Sequence, residues 1–169
     1  MAYKKIDLDG LKELQAKSKN TTNPIKTVKC KTIAVEKYRH ENYIRDLSAH
    51  IIDEPHVLLG DDTAPNPSEA VLAALGSCIA VGIQANLVHK GVDFSKIEVT
   101  LEGDIDISSV WGTGELTDKT IGFTHIRVFV DLQSDLDEKQ RDELIEHVLN
   151  YSPVTGTLRN PVEVKYVKK

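Results

Sequence analysis

The sequence predicts an α+β protein in which antiparallel sheets pack on one long central helix. Three observations support this prediction. Residues 70–83 are all apolar or small, which is typical of a buried helix. Residues 96–107 and 123–133 alternate between apolar and polar side chains, as a strand with one face in water does. The strands also occur in runs that helices interrupt, whereas an α/β fold alternates strands with helices.

The length and composition fit a single globular domain with at most a small appendage. The chain has 169 residues, of which 40% are hydrophobic and 28% are charged, with ten Gly and six Pro. These proportions exclude a disordered or collagen-like chain. The N-terminal residues show no apolar signal region, and we find no apolar stretch of the length that a membrane span requires. We therefore expect a cytoplasmic protein with reduced cysteines and no membrane partner.

Charge is distributed unevenly along the chain. The net charge is −5, but residues 1–31 carry eight lysines and only three acidic residues. A basic segment of this kind can contact nucleic acid. These lysines are scattered and no aromatic side chains lie between them, so a solvated arm or one packed on the acidic remainder is favoured. We therefore expect no nucleic-acid partner.

The N-terminal part is predicted to form one helix and three strands. Leu8, Leu11 and Leu14 recur at helical spacing, which predicts a helix from about Asp9 to Lys17 with Asp9 as its cap. Residues 18–25 are polar and are predicted to form a linker. Apolar and β-branched runs then predict three strands before a loop over residues 60–67. These strands cover Thr27–Val35, Tyr43–Ile52 and residues 56–60.

The central helix is predicted to continue from residue 70 to about Lys90, where Gly91 provides a C-terminal cap. Because its apolar part is apolar on all sides, we expect it in a core or an oligomer interface. The two alternating strands follow it, joined by a predicted loop over residues 108–122.

The last part is predicted to contain two helices and one strand. An apolar stripe predicts a helix over Asp137–Asn150, with Asp135 and Glu138 as its capping box. Ser152 and Pro153 suit the N-cap and the first position of a short helix. Residues 161–167 are predicted to form the final strand.

The two cysteines are the first candidates for chemistry, although they are too few for a disulfide scaffold or a cysteine-built zinc site. From the residues alone, Cys78 is best interpreted as a packed free thiol, because no stabilising cation is visible near it in the sequence. Cys30 is interpreted as a half-buried strand residue, because its lysine neighbours point to the opposite face. A disulfide between the two stays open.

No sequence pattern points to a metal or a cofactor. The six histidines show no H-x-x-x-H spacing and form no cluster with the cysteines. The sequence contains no G-x-S-x-G, P-loop or G-x-G-x-x-G motif. We therefore expect neither a bound metal nor a cofactor.

Two motifs resemble those of the OsmC/Ohr family, the osmotically inducible protein C and organic hydroperoxide resistance proteins. The segment NPSEAVLAALGSCIAVGI, residues 66–83, resembles the family's central helix. The segment YSPVTGTLRNPVEV, residues 151–164, resembles its second motif, in which a C-P-V-type turn opens a short helix. The similarity covers residues 27–169, which we interpret as an OsmC-like domain, and residues 1–26 are then an N-terminal helical extension and linker.

The resemblance implies two antiparallel sheets around long central helices, in an intertwined homodimer with active sites at the subunit interface. Characterised family members reduce organic hydroperoxides with two cysteines. One cysteine attacks the O–O bond and becomes a sulfenic acid, and the other resolves it as a disulfide. Cys78 matches the peroxidatic cysteine, but the resolving cysteine falls at Ser152. The chain thus resembles a branch of the family that lacks the resolving cysteine, since a serine cannot form a disulfide.

The resemblance also implies an arginine that stabilises the thiolate and a carboxylate that holds the arginine. Arg45 and Arg39 are the candidate arginines, and Glu69 is the candidate carboxylate. Glu69 precedes Cys78 by nine residues, which places it half a turn from the sulfur and about 13.5 Å along the helix. Glu69 can therefore orient a cation or cap its own helix, and it lies one place from the family's glutamate, which matches Ser68.

The leading hypothesis is a homodimeric, thiol-dependent hydroperoxide reductase with the single peroxidatic cysteine Cys78. An external thiol would resolve the oxidised Cys78, or Cys30 would do so if the fold brings the two close. Ser152 then belongs to the site, or it serves only as a helix cap. The alternative is a non-catalytic binding module of the OsmC fold, or a thiol redox sensor. The expected partners are a second copy of the chain, a small-molecule hydroperoxide and an external thiol reductant.

Overall fold

A computed structural model describes residues 4–113 and 121–168 of the chain. In these ranges the protein is a mixed α+β structure with two antiparallel sheets, as predicted. It divides into two compact units: unit 1 contains the described residues of Met1–Leu11 and Ala74–Lys169, and unit 2 contains Lys12–Ala73. The elements are α1 (Leu8–Lys19), β1 (Lys31–Glu36), β2 (Arg39–Tyr43), β3 (His50–Ile52), α2 (Pro67–Lys90), β4 (Phe94–Asp106), β5 (Gly122–Ser134), α3 (Glu138–Tyr151) and α4 (Pro153–Arg159).

The core of unit 1 lies among α2, α3 and the two-stranded sheet of β4 and β5. The two strands pair antiparallel, with Val99 opposite Val130. Apolar residues of α2 that recur every four positions form one buried stripe, and burial of each such side chain contributes about 1.5–3 kcal/mol. The buried core residues are Leu75, Ile79, Ile83, Leu87, Val88, Phe94, Leu132, Leu144 and Val148.

Two glycines allow α2 to approach its neighbours closely. A Cβ at Gly82 would lie 2.7 Å from Cγ1 of Val148, and a Cβ at Gly76 would lie 2.7 Å from Cδ1 of Leu101. Carbon atoms do not pack at that separation, so a larger residue would push α3 or β4 away. The small residues that predicted a buried helix are therefore required by the packing on two of its sides.

The end of α2 confirms the predicted glycine cap. Gly91 has a φ of 68°, in the left-handed region. Its N–H donates to the carbonyl of Val88 at 3.1 Å, and the N–H of Val92 donates to the carbonyl of Leu87 at 3.0 Å. These two hydrogen bonds form a Schellman motif, which ends a helix and satisfies its last carbonyls.

Unit 2 is built on a three-stranded antiparallel sheet in the order β1-β2-β3. Directly after β3, Asp53 is 1% exposed. Its carboxylate accepts hydrogen bonds from Thr63 Oγ1 at 2.7 Å, from Thr63 N at 3.0 Å and from Glu54 N at 2.8 Å. Because these donors stabilise the ionised form, they lower the pKa of Asp53 to about 2. One buried charge therefore ties residues 53–63 into a closed segment.

The strand predictions in unit 2 need correction. β1 begins at Lys31 and not at Thr27, so Cys30 precedes the strand and is exposed. Both cysteines are free thiols in this structure. The predicted strand Tyr43–Ile52 contains only the last residue of β2, then a turn in which Arg45 has a φ of 55°, and then β3. The sequence did not predict the rest of β2.

The predicted strand over residues 56–60 is a 3-10 helix, His56–Leu58. Pro55 precedes it, and Leu59 ends it with a φ of 68°. The glycine that follows has no room for a side chain, since a Cβ at Gly60 would lie 1.8 Å from the carbonyl oxygen of Glu54. Tight backbone contacts of this kind outweigh the β propensity of a short apolar run.

Two predicted helix caps are wrong by two residues. α1 begins at Leu8, and Gly10 N donates to the carboxylate of Asp7 at 2.6 Å, so Asp7 and not Asp9 is the cap. In α3 the capping box joins Asp137 and Gln140, not Asp135 and Glu138. The box requires a spacing of three residues from the N-cap, and the helix begins at Glu138.

Residues 161–167 do not form the predicted final strand. Their apolar side chains stand in solvent, with Val164 92% exposed and Tyr166 88% exposed. A strand needs a neighbouring strand for its backbone hydrogen bonds, and none pairs with this segment in the described chain. Of the predicted loop over residues 108–122, residues 114–120 lie outside the described ranges.

The expectation about apolar length also needs correction. α2 is long and apolar enough to cross a membrane by length and composition alone. The core helix of a soluble protein passes the same test. In unit 1 this helix contributes Ile79, Ile83 and Leu87, all 0% exposed, to a protein core.

Candidate active site

The thiol of Cys78 and the hydroxyl of Ser152 lie together in unit 1, although 74 positions separate them in the chain. Ser152 Oγ donates a hydrogen bond to Cys78 Sγ over 3.1 Å. Ser152 is 6% exposed, and Cys78 is half-buried. The sulfur is therefore enclosed on the side of Ser152, while part of the Cys78 side chain stays open to solvent.

The packing of α2 against α3 places these two side chains together. Gly82 of α2 lies against Val148 of α3, which fixes one point of contact between the helices. Cys78 lies four residues before Gly82 in α2. Ser152 lies four residues after Val148, directly after the end of α3. The helices therefore run antiparallel at this contact. About one helical turn away from it, the sulfur of Cys78 and the hydroxyl of Ser152 come within hydrogen-bond distance.

The hydroxyl of Ser152 is oriented by its place at the start of α4. Ser152 is the N-cap of α4, as predicted, and its Oγ accepts a hydrogen bond from Thr155 N at 3.1 Å. A serine hydroxyl has a single proton to donate. It donates that proton to the sulfur of Cys78 and accepts from Thr155 N on a lone pair. Helix capping and the contact with the thiol are thus two uses of one side chain.

This arrangement gives the sulfur of Cys78 a fixed hydrogen-bond donor. Hydrogen bonds to a charged acceptor are stronger than those to a neutral one. The thiolate is the reactive form of cysteine. Ser152 lies where it can support such a thiolate, but its oxygen cannot form a disulfide with it.

Thr155 adds a second hydroxyl that the sequence analysis did not identify. The residue is 6% exposed, and its Oγ1 has no hydrogen-bond partner among the described residues. The sequence does hold a signal for it, because Thr155 follows Ser152 by the three positions that a capping box spans. In a capping box the third residue is Glu or Gln, and threonine is too short to close it.

Glu69 caps its own helix. The carboxylate of Glu69 accepts a hydrogen bond from Asn66 N at 2.8 Å, and the side chain of Asn66 accepts one from Glu69 N at 2.9 Å. This is a reciprocal capping box at the start of α2. The sequence left two roles open for Glu69, and the structure shows the first, the capping of its own helix. The second role, the orientation of a cation, stays a prediction.

The other candidate residues lie in unit 2. Arg39 Nη1 donates to Thr63 Oγ1 at 2.8 Å, so this guanidinium joins the segment that Asp53 organises. Arg45 is exposed in the turn between β2 and β3, and Cys30 is exposed before β1. The thiolate-stabilising roles of Arg39 and Arg45, and the resolving role of Cys30, stay predictions.

Glu54 is a further ionisable residue that the sequence analysis did not single out. Its Oε2 is buried and has no hydrogen-bond partner among the described residues. Burial and the negative charges of Glu69 and Asp53 raise the pKa of Glu54, and His40 partly opposes them. In the part of the chain that is described, no group of three or more His, Cys, Asp or Glu residues could hold a metal ion.

The chain is similar in sequence to one protein family. The family model described as OsmC-like protein matches residues 60–167, which is more than half of the chain. This range includes both Cys78 and Ser152. No curated protein matches the chain.

Solved structures show the same fold. An OsmC-like protein from Mycoplasma pneumoniae superposes with a TM-score of 0.67 at 18% identity, over 79% of this chain and 88% of that one. The organic hydroperoxide resistance protein OsmC from Legionella pneumophila gives a TM-score of 0.60 at 18% identity, over 83% and 95% of the two chains. The organic hydroperoxide resistance protein OhrB of Bacillus subtilis gives 0.52 at 20% identity, over 82% and 95%.

Proposed function

The chain belongs to the family of OsmC-like proteins, and from this premise we propose that it is a thiol-dependent hydroperoxide reductase with Cys78 as its single peroxidatic cysteine. Structural neighbours named organic hydroperoxide resistance proteins support the reaction class. The observation that carries the proposal for this chain is the 3.1 Å hydrogen bond from Ser152 Oγ to Cys78 Sγ. It gives the cysteine a fixed donor in a half-buried position, which a merely packed thiol does not need.

The proposed reaction begins with the thiolate of Cys78. The sulfur attacks the terminal oxygen of the hydroperoxide, so that an S–O bond forms and the O–O bond breaks. The alkoxide that leaves takes up a proton and departs as an alcohol. Sulfur is oxidised and the hydroperoxide is reduced, and Cys78 is left as a sulfenic acid.

An external thiol completes the cycle. Its sulfur attacks Cys78 Sγ, which forms a mixed disulfide and releases water. A second thiol, or the other arm of a dithiol, then displaces Cys78 and restores it in the reduced form. Ser152 supports reduction by an external thiol, because it occupies the position that matches the resolving cysteine and its hydroxyl cannot form a disulfide. Cys30 as an internal resolving thiol remains the competing route.

The proposal retains an arginine for thiolate stabilisation, with Arg39 and Arg45 as the candidates. Arg39 donates a hydrogen bond to Thr63, whereas Arg45 lies in an exposed turn. These contacts favour Arg39 as the residue with a fixed position. One carboxylate oxygen of Glu69 already accepts a hydrogen bond from Asn66 N. Only the other oxygen of Glu69 would be available to orient Arg39.

We also propose that the protein acts as a cytoplasmic homodimer. Exposed apolar side chains in unit 1 support an association, because burial of apolar surface against a partner is favourable. Val81 on α2 is 63% exposed, Phe129 on β5 is 50% exposed, and Val164 in the unpaired C-terminal segment is 92% exposed. A second copy of the chain would remove such surface from water. Cytoplasmic thiol pools would supply the reductant.

The second candidate function is a thiol redox sensor. Ser152 at the position of the resolving cysteine favours it, because without an internal thiol the oxidised state of Cys78 lasts until an external thiol arrives. The two functions differ in turnover. A reductase consumes many equivalents of hydroperoxide when a thiol is supplied, whereas a sensor reacts once and is reduced slowly.

The deciding experiment measures the consumption of tert-butyl hydroperoxide in the presence of dithiothreitol. The reductase proposal predicts repeated turnover by the wild-type protein, loss of turnover in Cys78→Ser, and retained turnover in Cys30→Ser. Retained turnover in Cys78→Ser would refute a role of this thiol, and loss of turnover in Cys30→Ser would instead make Cys30 the resolving residue. A single rapid equivalent followed by no further consumption would favour the sensor.

A further inference from the structure

We propose that the hydroxyl of Thr155 binds the oxygen of the sulfenic acid on Cys78, which makes Thr155 a positioning residue for the oxidised intermediate. The inference rests on the proposed function, since it concerns the intermediate of that reaction. Two independent observations carry it: the hydrogen bond between Ser152 and Cys78, and the unpaired, buried hydroxyl of Thr155.

The unpaired hydroxyl calls for an explanation. Thr155 is 6% exposed, and its Oγ1 has no partner among the described residues. Leaving a buried hydroxyl unpaired destabilises a folded protein, so nearly all such groups are paired in native structures. Valine has nearly the same shape and would remove that cost. A threonine at this site therefore fits a hydroxyl that gains its partner during function.

The preceding helix shows what the same position does when it serves only as a cap. In α3 the third residue, Gln140, bonds back to the backbone N–H of the N-cap Asp137 at 3.1 Å. In α4 the third residue is Thr155, and its side chain makes no such bond. The two helix starts share a capped backbone and differ in this one side chain. Capping thus accounts for Ser152 and leaves the Thr155 hydroxyl unused.

Thr155 lies in the first turn of α4, at the end of the helix that is near Cys78. Its backbone N–H donates to Ser152 Oγ at 3.1 Å, and Ser152 Oγ lies 3.1 Å from Cys78 Sγ. Side chains on a helix tilt toward its N-terminus. The side chain of Thr155 is therefore carried toward the end of α4 where Ser152 and the sulfur meet.

Oxidation supplies the missing partner. When the thiolate of Cys78 takes an oxygen from a hydroperoxide, an S–O bond forms and an alcohol leaves. The new oxygen can accept a hydrogen bond from Thr155 Oγ1, while Ser152 keeps its bond to the sulfur. Held in this way, the sulfenic acid is shielded from a second hydroperoxide, and an external thiol still reaches the sulfur from the open side. The pair of hydroxyls thereby compensates for the absence of an internal resolving thiol.

The test compares Thr155→Val and Thr155→Ser, both in a Cys30→Ser background so that Cys78 is the one thiol. Each protein receives a several-fold excess of tert-butyl hydroperoxide, so that a second hydroperoxide is present to attack the sulfenic acid, and dimedone is added after increasing delays. Mass spectrometry of the adduct then gives the lifetime of the sulfenic acid. We expect a lifetime about three- to tenfold shorter in Thr155→Val, the effect of one lost hydrogen bond. Thr155→Ser, which keeps the hydroxyl, should stay within about twofold of its parent.

Thermal unfolding of the same proteins provides the control for folding. Thr155→Val should melt at the temperature of its parent or above it, because the substitution removes an unpaired polar group. Equal sulfenic acid lifetimes in the parent and Thr155→Val would overturn the inference, and so would a lifetime in Thr155→Ser as short as in Thr155→Val. Absence of any dimedone adduct in the parent would overturn the proposed function as well, which separates the two failures.

Discussion

At the scale of single residues, Ser152 joins the architecture of the protein to its proposed chemistry. Its oxygen accepts from Thr155 N and caps α4, and its proton is donated to the sulfur of Cys78. A resolving cysteine at this place would lose the cap, because sulfur is a weak acceptor. One hydroxyl therefore caps α4 and contacts the sulfur, and under the proposed function reduction falls to an external thiol.

Replacement of Ser152 by alanine removes both contacts, and the two effects can be separated. Loss of the cap should cost about 1 kcal/mol of unfolding free energy. Loss of the donor to a thiolate should slow alkylation of Cys78 by iodoacetamide about tenfold or more, since a hydrogen bond to a charged group contributes about 1.5–3 kcal/mol. Alkylation rates in a Cys30→Ser background measure the second effect.

The matched control is Asp137→Ala, which removes the cap of α3 and leaves the contact with Cys78 intact. It should lower stability by about 1 kcal/mol and leave the alkylation rate unchanged. If both variants slow alkylation equally, general destabilisation would be the cause, and the specific role of the Ser152 hydroxyl would be refuted.

The opposite substitution, Ser152→Cys, should restore a two-cysteine site. An oxygen 3.1 Å from Cys78 Sγ occupies nearly the place that a second sulfur needs, because a disulfide bond is about 2.05 Å long. In a Cys30→Ser background, one equivalent of hydroperoxide should convert both thiols into an intramolecular disulfide. Thiol titration and the intact mass without reductant report it. A variant that still yields a dimedone adduct and no disulfide would show that the two positions do not meet as described.

Sequence reasoning reached part of this site. Ser152 as a helix cap follows from its place before Pro153, and the resemblance to a family pointed to Cys78. The contact between the two could not be derived from the residues alone, since 74 positions separate them and helix packing alone brings them together. Thr155 was missed because an unpaired hydroxyl is visible only when its surroundings are known.

At the scale of elements, the segment after β3 depends on one buried charge. Asp53 accepts from Thr63 and from Glu54, and these hydrogen bonds lower its pKa from the usual 3.8 to about 2. A lowered pKa means that the ionised form is bound more favourably in the folded state. The resulting stabilisation is complete above pH 4 and is lost as the pH falls toward 2.

The prediction concerns Asp53→Asn. The variant should unfold at lower urea concentration than the wild type at pH 7, and its stability should change less between pH 4 and pH 2. Urea titrations at several pH values in this range provide the measurement. Asp46→Asn, at an exposed position of unit 2, is the control and should reproduce the wild-type profile. A profile of Asp53→Asn with the same acid dependence as the wild type would assign that dependence to other carboxyl groups.

The elements differ in how far the sequence predicts them. α2, β4 and β5 have patterns of more than ten residues, and their type is confirmed. Short apolar runs predict the type of element less reliably. Residues 56–60 were predicted to form a strand, but Pro55 and a left-handed Leu59 bound a 3-10 helix there. The final strand over residues 161–167 failed for another reason. Its alternation is real, but pairing requires a second strand that the described chain does not supply.

At the scale of the whole molecule, apolar surface remains that a single chain leaves in water. It lies on α2, on β5 and along the C-terminal segment, and each contributes side chains that are at least half exposed, such as Val81, Phe129 and Val164. The homodimer proposal predicts that light scattering after gel filtration gives twice the mass of 18.8 kDa. A measured mass of one chain at micromolar concentration would contradict the homodimer proposal. The proposed chemistry of Cys78 would then take place within a single chain.

The central claim is that Cys78 is a peroxidatic thiol without an internal resolving partner. The most direct measurement is a single turnover of the Cys30→Ser protein with one equivalent of tert-butyl hydroperoxide and no reductant. The account predicts that each chain consumes one hydroperoxide, loses its free thiol and forms a dimedone adduct at Cys78 without a disulfide. An unconsumed hydroperoxide together with an intact Cys78 thiol would contradict it.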